Sequence, residues 1–305
     1  MNKTETLDTH LGIAAVERDT GLPKDTLRVW ERRYGFPQPS RDAHGERLYP
    51  REQVDKLRLI RRLLDQGKRP SKIVTASTDE LTRMLGEERN DITNAAPGAA
   101  QEALLPLLRG HNSPEVRAVL QQILLKQGLQ RFVADTVAPL NVAVGDAWLR
   151  GEIDVPGEHL YTEQIHNLLR SAIGARTGPL GHPRILLTTF PNEQHSLGLL
   201  MVEAMLTPEG AHCVSLGTQT PLADICNTAA AGSFDIVALS FSAAFPARQA
   251  VDSLNELRRL LPPRIAVWAG GAAMRGQERK LPDVRVLASL DQTVEALAEW
   301  RRAHA

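Results

Sequence analysis

Glu193-Gln194-His195-Ser196-Leu197-Gly198 lies between an apolar run, residues 185–190, and a stretch whose Leu199, Leu200, Val202 and Met205 recur on one helical face. The run reads as a buried parallel strand and the stretch as a helix, so the hexapeptide is a strand-to-helix turn. In an open α/β sheet, ligands settle outside the carboxyl ends of the strands, at turns of this kind. A histidine there can offer an imidazole nitrogen to a metal or cofactor, and a carboxylate two residues earlier can orient its ring. Gly198 lets a bulky ligand approach the backbone. Taken alone, the pattern equally fits a His195 that caps the helix or bonds a neighbouring loop.

The turn belongs to a repeating pattern. Strands are expected at 185–189, 212–216, 236–240, 265–269 and 284–287, with helical stretches between them and a last helix at 293–302. Five βα units predict a flavodoxin-like parallel sheet, whose rim carries Ser240 and Ser242 after the third strand and Gly270-Gly271 after the fourth. Upstream, helical periodicity at 103–108, 114–126, 130–150 and 158–175, with short joints, predicts a four-helix bundle. Its second half carries Trp148 and, nine intervening residues later, Glu158-His159. That set also fits a core tryptophan and an acidic helix N-terminus.

The first quarter has a different character. Residues 1–75 hold 16 Lys and Arg against 11 Asp and Glu, while the remainder holds 20 against 25 under a net charge of zero. A basic first quarter suits an anion-binding module, although a solvated charged surface gives the same count. A short helix at 13–16, a turn at Thr20-Gly21-Leu22-Pro23 and a second helix at 24–34 form a helix-turn-helix, whose second helix enters the major groove. Lys24, Thr26, Arg28, Arg32 and Arg33 line that helix, with Arg28 and Arg32 on one face. Gly35-Phe36-Pro37 stops it, and residues 39–45 have the turn chemistry of an exposed wing flanked by Arg41, Arg47 and Tyr49, candidates for phosphate or minor-groove contacts. A helix at 50–66 and short helices at 70–74 and 79–85 follow. Small and polar residues around Pro97 and Gly98 suggest an interdomain connection.

The expected organisation is therefore a multidomain α and α/β chain: a winged helix-turn-helix at 1–75, a linker at 76–100, a helical bundle at 101–180 and a flavodoxin-like domain at 181–305. With 305 residues there is room for two or three cores. No apolar run reaches the length of a membrane span, residues 1–10 show no apolar signal core, and the two cysteines make no disulfide framework, so a cytoplasmic protein is expected.

Thr26-Leu27-Arg28-Val29-Trp30-Glu31-Arg32-Arg33-Tyr34-Gly35-Phe36-Pro37, followed by Arg41, Gly45, Arg47, Leu48 and Tyr49, resembles the MerR family of transcription regulators. The Trp-Glu-Arg-Arg-Tyr-Gly form is similar to the branch of the CarH, CarA and LitR light regulators and MlrA. The pairing of Trp-x9-Glu-His with Glu-x-His-x-x-Gly resembles that branch's cobalamin-binding unit, and the cap and cobalamin domains of methionine synthase. The resemblance implies a non-enzymatic regulator, a repressor, that binds double-stranded promoter DNA as a homodimer or homotetramer. It implies adenosylcobalamin as cofactor, with His195 as lower ligand to cobalt and Glu193 orienting it. Ser240, Ser242, Gly270 and Gly271 would line the channel for the nucleotide tail, and Trp148, Glu158 and His159 would cover the upper face.

Three residues depart from the pattern. Glu193 stands where Asp is more frequent, Ser240-Phe241-Ser242 lacks the leucine of Ser-x-Leu, and Leu149 follows Trp148 where photosensing members carry a histidine. An aliphatic side chain cannot ligate cobalt. Two rivals stay open at this level: a MerR-type regulator that keeps the fold and senses another ligand or a protein partner, and a cobalamin-dependent methyltransferase module.

Overall fold

The computed structural model describes residues 10–42, 45–65, 68–87, 98–175 and 181–304. Residues 88–97 of the expected linker, and 43–44 of the expected wing, lie outside them. By its internal contacts the chain divides into two compact units, one of Met1–Ala96 with Asp146–Val155, the other of Pro97–Gly145 with Pro156–Ala305.

The first unit opens with strand β1 (His10–Gly12) and helix α1 (Ile13–Thr20). Gly21, at φ 67°, ends α1 in the left-handed conformation and returns its N–H to the Glu17 carbonyl, which turns the chain toward α2 (Lys24–Tyr34). Strands β2 (Ser40–Arg41) and β3 (Arg47–Pro50) form the wing hairpin, with Ser40 opposite Leu48 and Arg41 opposite Arg47. Strand β1 pairs with the other edge of β3, placing Leu11 opposite Tyr49. Three residues are too few to show a period, so β1 is invisible in the sequence. Helices α3 (Arg51–Asp65), α4 (Pro70–Ile73) and α5 (Thr78–Glu87) complete the unit. Leu27 and Trp30 of α2 and Val54, Leu57, Ile60 and Leu63 of α3 bury their side chains in its core.

The second unit begins with α6 (Ala99–Arg109) and α7 (Ser113–Gln127). The third expected helix is continuous but not uniform: α8 (Leu129–Arg131) passes through a wide π-helical turn (Phe132–Val137) into α9 (Ala138–Leu149), whose residues from Asp146 on count with the first unit. Helix α10 (Val155–Gly174) is the fourth. Then come β4 (Gly181–Thr188), α11 (Leu197–Leu206), β5 (Ala211–Gly217), α12 (Leu222–Ala231), β6 (Ile236–Ser240), α13 (Ala247–Leu260), β7 (Ala266–Gly270), β8 (Arg285–Leu287) and α14 (Asp291–Ala303). The strands are all parallel in the order β5-β4-β6-β7-β8. This is the flavodoxin-like order, whose switch point falls between β4 and β6. One expectation needs correcting: β7 and β8 are joined by two single 3-10 turns, Ala272–Met274 and Glu278–Lys280, instead of a helix. Gly271, Gly276 and Pro282 leave no uninterrupted stretch there long enough for a stable helix.

Candidate functional site

Register brings the rim residues together. Thr188 lies beside Leu239 across the switch point, so the turn after β4 and the turn after β6 emerge side by side, and Ser240 lies opposite Gly270. Asn192, at φ 73°, bends the chain after the strand so that Glu193 drops beneath its own turn. The carboxylate is almost completely buried, 1% exposed, while the His195 side chain is 62% exposed.

Glu193 is fully engaged. Its Oε1 accepts from the His195 backbone N–H at 2.9 Å and lies 2.7 Å from His195 Nδ1; its Oε2 accepts from the Ser242 N–H at 2.7 Å. Burial pushes the carboxyl pKa up, but the hydrogen bonds from His195 and Ser242 outweigh it and hold the group below its ordinary value. An ionised carboxylate at Nδ1 fixes the neutral ring as the Nδ1–H tautomer and puts the lone pair on Nε2, the arrangement that raises the basicity of a metal-binding imidazole. The donor set therefore fits a histidine that would hold a metal-containing cofactor through one ring nitrogen.

The glycines fit tightly. A Cβ on Gly198 would stand 2.2 Å from Ser240 Oγ and 3.3 Å from Ser240 Cβ. Gly271, at φ 103°, would place one 2.1 Å from the Phe241 carbonyl oxygen, whereas Gly270 is merely snug against Leu287. The Gly270 carbonyl accepts from the Phe241 N–H at 2.9 Å. Phe241 itself is fully buried, its ring 5.8 Å from that of Phe190 and 5.3 Å from that of Phe245. Ser242, where the resemblance calls for leucine, receives the Ala244 N–H on its hydroxyl at 3.2 Å.

Two contributors escaped the sequence reading. Thr189, buried at the strand end, donates to the Glu193 carbonyl and accepts from the Gln219 N–H, both at 2.8 Å, which braces the turn from below. His166 of α10 brings Nε2 to 3.4 Å from Ser196 Oγ, and its pKa is lowered by burial. The available signal was its spacing of seven from His159, which puts both on one helical face.

Glu158 and His159 bond to one another, Oε2 to Nδ1 at 2.8 Å, and Glu158 also accepts from Thr162. Trp148 belongs to the other unit, where the Arg58 guanidinium lies 5.2 Å from its ring. Arg58 is buried and paired with Asp19 and Asp55, each at 2.8 Å.

On the recognition helix, Lys24 pairs with Glu17, while Thr26 is half-buried and Arg28, Arg32 and Arg33 are exposed. Arg28 donates to Asp25 at 3.1 Å. Arg41, exposed on the wing, donates to the Gly45 carbonyl, and Arg47 crosses from the wing to Glu31 of α2 at 2.9 Å. Asp25, Arg28, Val29, Arg32 and Arg47 line one shallow cleft. Tyr49 corrects the expectation of a phosphate contact: β3 is the central strand, flanked by β1 and β2, and its tyrosine points into the core fully buried.

Residues 11–80 match the MerR HTH family regulatory protein, and residues 100–172 and 183–298 each match a B12 binding domain. The chain is 32% identical to the HTH-type transcriptional repressor CarH of Myxococcus xanthus, over 85% of its own length and 87% of the relative's. It belongs to the CarH-like family of MerR regulators with B12-binding domains. The HTH-type transcriptional repressor CarA of the same organism is 29% identical over 87% of this chain and 88% of that one. Among solved structures, the monomethylamine corrinoid protein of Methanosarcina barkeri superposes with a TM-score of 0.52 at 17% identity, covering 66% of this regulator and 99% of that chain, a likeness of fold. No helix among the described residues of this CarH-like regulator is long and apolar enough to cross a membrane.

Proposed function

We propose that the chain is a transcriptional repressor that binds promoter DNA through α2 and the wing, and that a cobalamin held at His195 sets its affinity for that DNA. The observation that carries the cofactor half is the buried Glu193 carboxylate, which holds His195 by its backbone N–H and its ring nitrogen. A buried charge costs free energy unless it is fully paired, and here the pairing orients one imidazole nitrogen. Ser240, Ser242, Gly270 and Gly271, at the rim of the switch point, would border the nucleotide tail. Glu158 and His159 would cover the bound cofactor. The DNA-binding part would run on from 1–75 through α5, whose Leu81 is buried with the core of α2 and α3, and the cobalamin unit would span 101–180 and 181–305.

Adenosylcobalamin supplies a cobalt–carbon bond that light can break. For this to control DNA binding, cofactor states must have different affinities for two conformations or assemblies of the protein. Paired half-sites favour a homodimer or homotetramer in the DNA-bound state. Leu149 offers no donor to cobalt, so a lit state would differ in ligation from regulators with histidine there. The methyltransferase reading has no use for a MerR-type head.

The test is purified protein mixed in the dark with adenosylcobalamin, scanned in the visible before and after green light, with DNA binding measured in both states. Bound cofactor, loss of its spectrum in His195→Ala and a light-dependent change in DNA affinity are expected. A protein that takes up no cobalamin favours a regulator of another ligand. Cofactor binding without a change on illumination removes the light signal and keeps the cobalamin.

A further inference from the structure

We infer that Val29 reads thymine methyl groups in the operator, as the apolar specificity element of a recognition helix otherwise built from charges. The inference rests on the DNA-binding reading above and names what that face discriminates.

Helix α2 buries Leu27 and Trp30, on the side that packs into the core, and leaves Val29 42% exposed. Few large apolar side chains among the described residues are that exposed. Val29 is set apart by its neighbours: Asp25 precedes it by four positions, Arg32 follows by three, and both share its shallow cleft with Arg28 and Arg47. Valine at this position has no core role to justify it. Its β-branch also costs helix stability relative to the straight-chain residues around it. An apolar group among arginines that approach phosphates and base edges has one complementary feature of its own size in the major groove, the C5-methyl of thymine, because the nitrogens and oxygens displayed there are hydrogen-bond donors or acceptors and cytosine offers only a C5–H. The flanking arginines bring the helix to the groove and Val29 supplies the apolar contact.

The experiment begins with the full-length protein and a random duplex library, from which bound duplexes are recovered and a consensus site built. Each thymine of that site is then replaced singly by deoxyuridine, which deletes one methyl group and keeps base pairing. At one position in each half-site the replacement should weaken wild-type binding by about fourfold, the worth of one buried methyl-sized group. Val29→Ala should bind the thymine site more weakly by a similar factor and should no longer distinguish thymine from uracil there. Its melting temperature should not fall, since the side chain lies outside the core and alanine favours the helix. If wild-type binding is the same with uracil at every position, or Val29→Ala keeps the full discrimination, the inference is wrong while the DNA-binding reading stands. If no duplex is enriched, the DNA-binding reading fails and takes this one with it.

Discussion

The turn after β4 and the outer face of α2 each set an acid against a base, in opposite surroundings. At the sheet the acid is buried: Glu193, 1% exposed, holds His195 in a solvent-facing position. On the recognition helix both partners are in water, with Arg28 50% and Asp25 90% exposed. A buried ion must be paired from several directions, so it locks its neighbours and makes one geometry. An exposed pair is worth little and gives way to a stronger partner. The first arrangement suits a ligand of fixed shape. The second suits a phosphate backbone, which offers charge in many registers and rewards arginines that can swing from an acid to a phosphate. Arg47, tied to the half-buried Glu31, is intermediate.

The contrast breaks most sharply in backbone geometry. Gly271→Ala would set a Cβ 2.1 Å from the Phe241 carbonyl oxygen at a φ of 103°, and neither atom belongs to a side chain that can turn away. Strain and overpacking together predict a loss of about 3–5 kcal/mol, read from urea unfolding of the second unit. Gly198→Ala serves as the comparison, because Ser240 Oγ can rotate aside; a milder loss there that Ser240→Ala largely relieves is expected. Equal losses at both glycines would show that the rim is more plastic than the close approach implies.

Glu193→Ala ranks next. It leaves the Ser242 N–H and two His195 donors without their acceptor, which predicts about 2–3 kcal/mol of lost stability and 10- to 100-fold weaker cobalamin binding, measured by visible titration. The pH dependence follows from the lowered pKa. Because the folded-state value lies below the unfolded one, the contribution is complete above the ordinary carboxylate range and is lost as pH falls through the lowered value. Acid unfolding curves of wild type and Glu193→Ala should therefore converge at low pH; parallel curves would mean that the carboxylate is not ionised in the folded protein.

How much of this was legible depended on how local each feature is. The five strands could be read because apolar runs recur between helical stretches, and the Glu193–His195 contact because the two residues lie two apart at a strand end. The helix-turn-helix was legible through the Thr20-Gly21-Leu22-Pro23 turn between two short helical stretches and through the arginines of the second. Features made by distant partners were not. The burial of Tyr49 depends on β1, almost 40 residues earlier; the role of Thr189 depends on Gln219; the need for glycine at 271 depends on the backbone of residue 241. The 3-10 turns between β7 and β8 show the reverse error, in which the βα rhythm was extended across a segment that glycine and proline interrupt.

Arg47→Ala tests the intermediate case. Its guanidinium bridges the wing and α2 through Glu31, whose hydrogen bond raises the arginine pKa against the opposing effect of burial. Removing it should cost the first unit about 1 kcal/mol, seen in urea unfolding, and should also weaken DNA binding. A mutant that loses DNA affinity with full stability would place Arg47 with the freely exposed arginines.

Arg28→Ala carries the smallest effect on stability and the sharpest test of the exposed side of the comparison. Its partner Asp25 lies three residues away on the same helix, and an exposed pair of this type contributes between nothing and about 1 kcal/mol. Alanine also favours the helix, so the melting temperature should hardly move. If Arg28 exchanges Asp25 for a DNA phosphate, its loss should weaken binding across all sequences and reduce the slope of log affinity against log salt by about one. Asp25→Asn should do the opposite to affinity, since the arginine is then released from a competing carboxylate before it meets DNA. An Arg28→Ala protein with unchanged slope, or an Asp25→Asn protein that binds more weakly, would show that the pair acts as a fixed unit. The recognition helix would then resemble the cofactor turn in its rigidity.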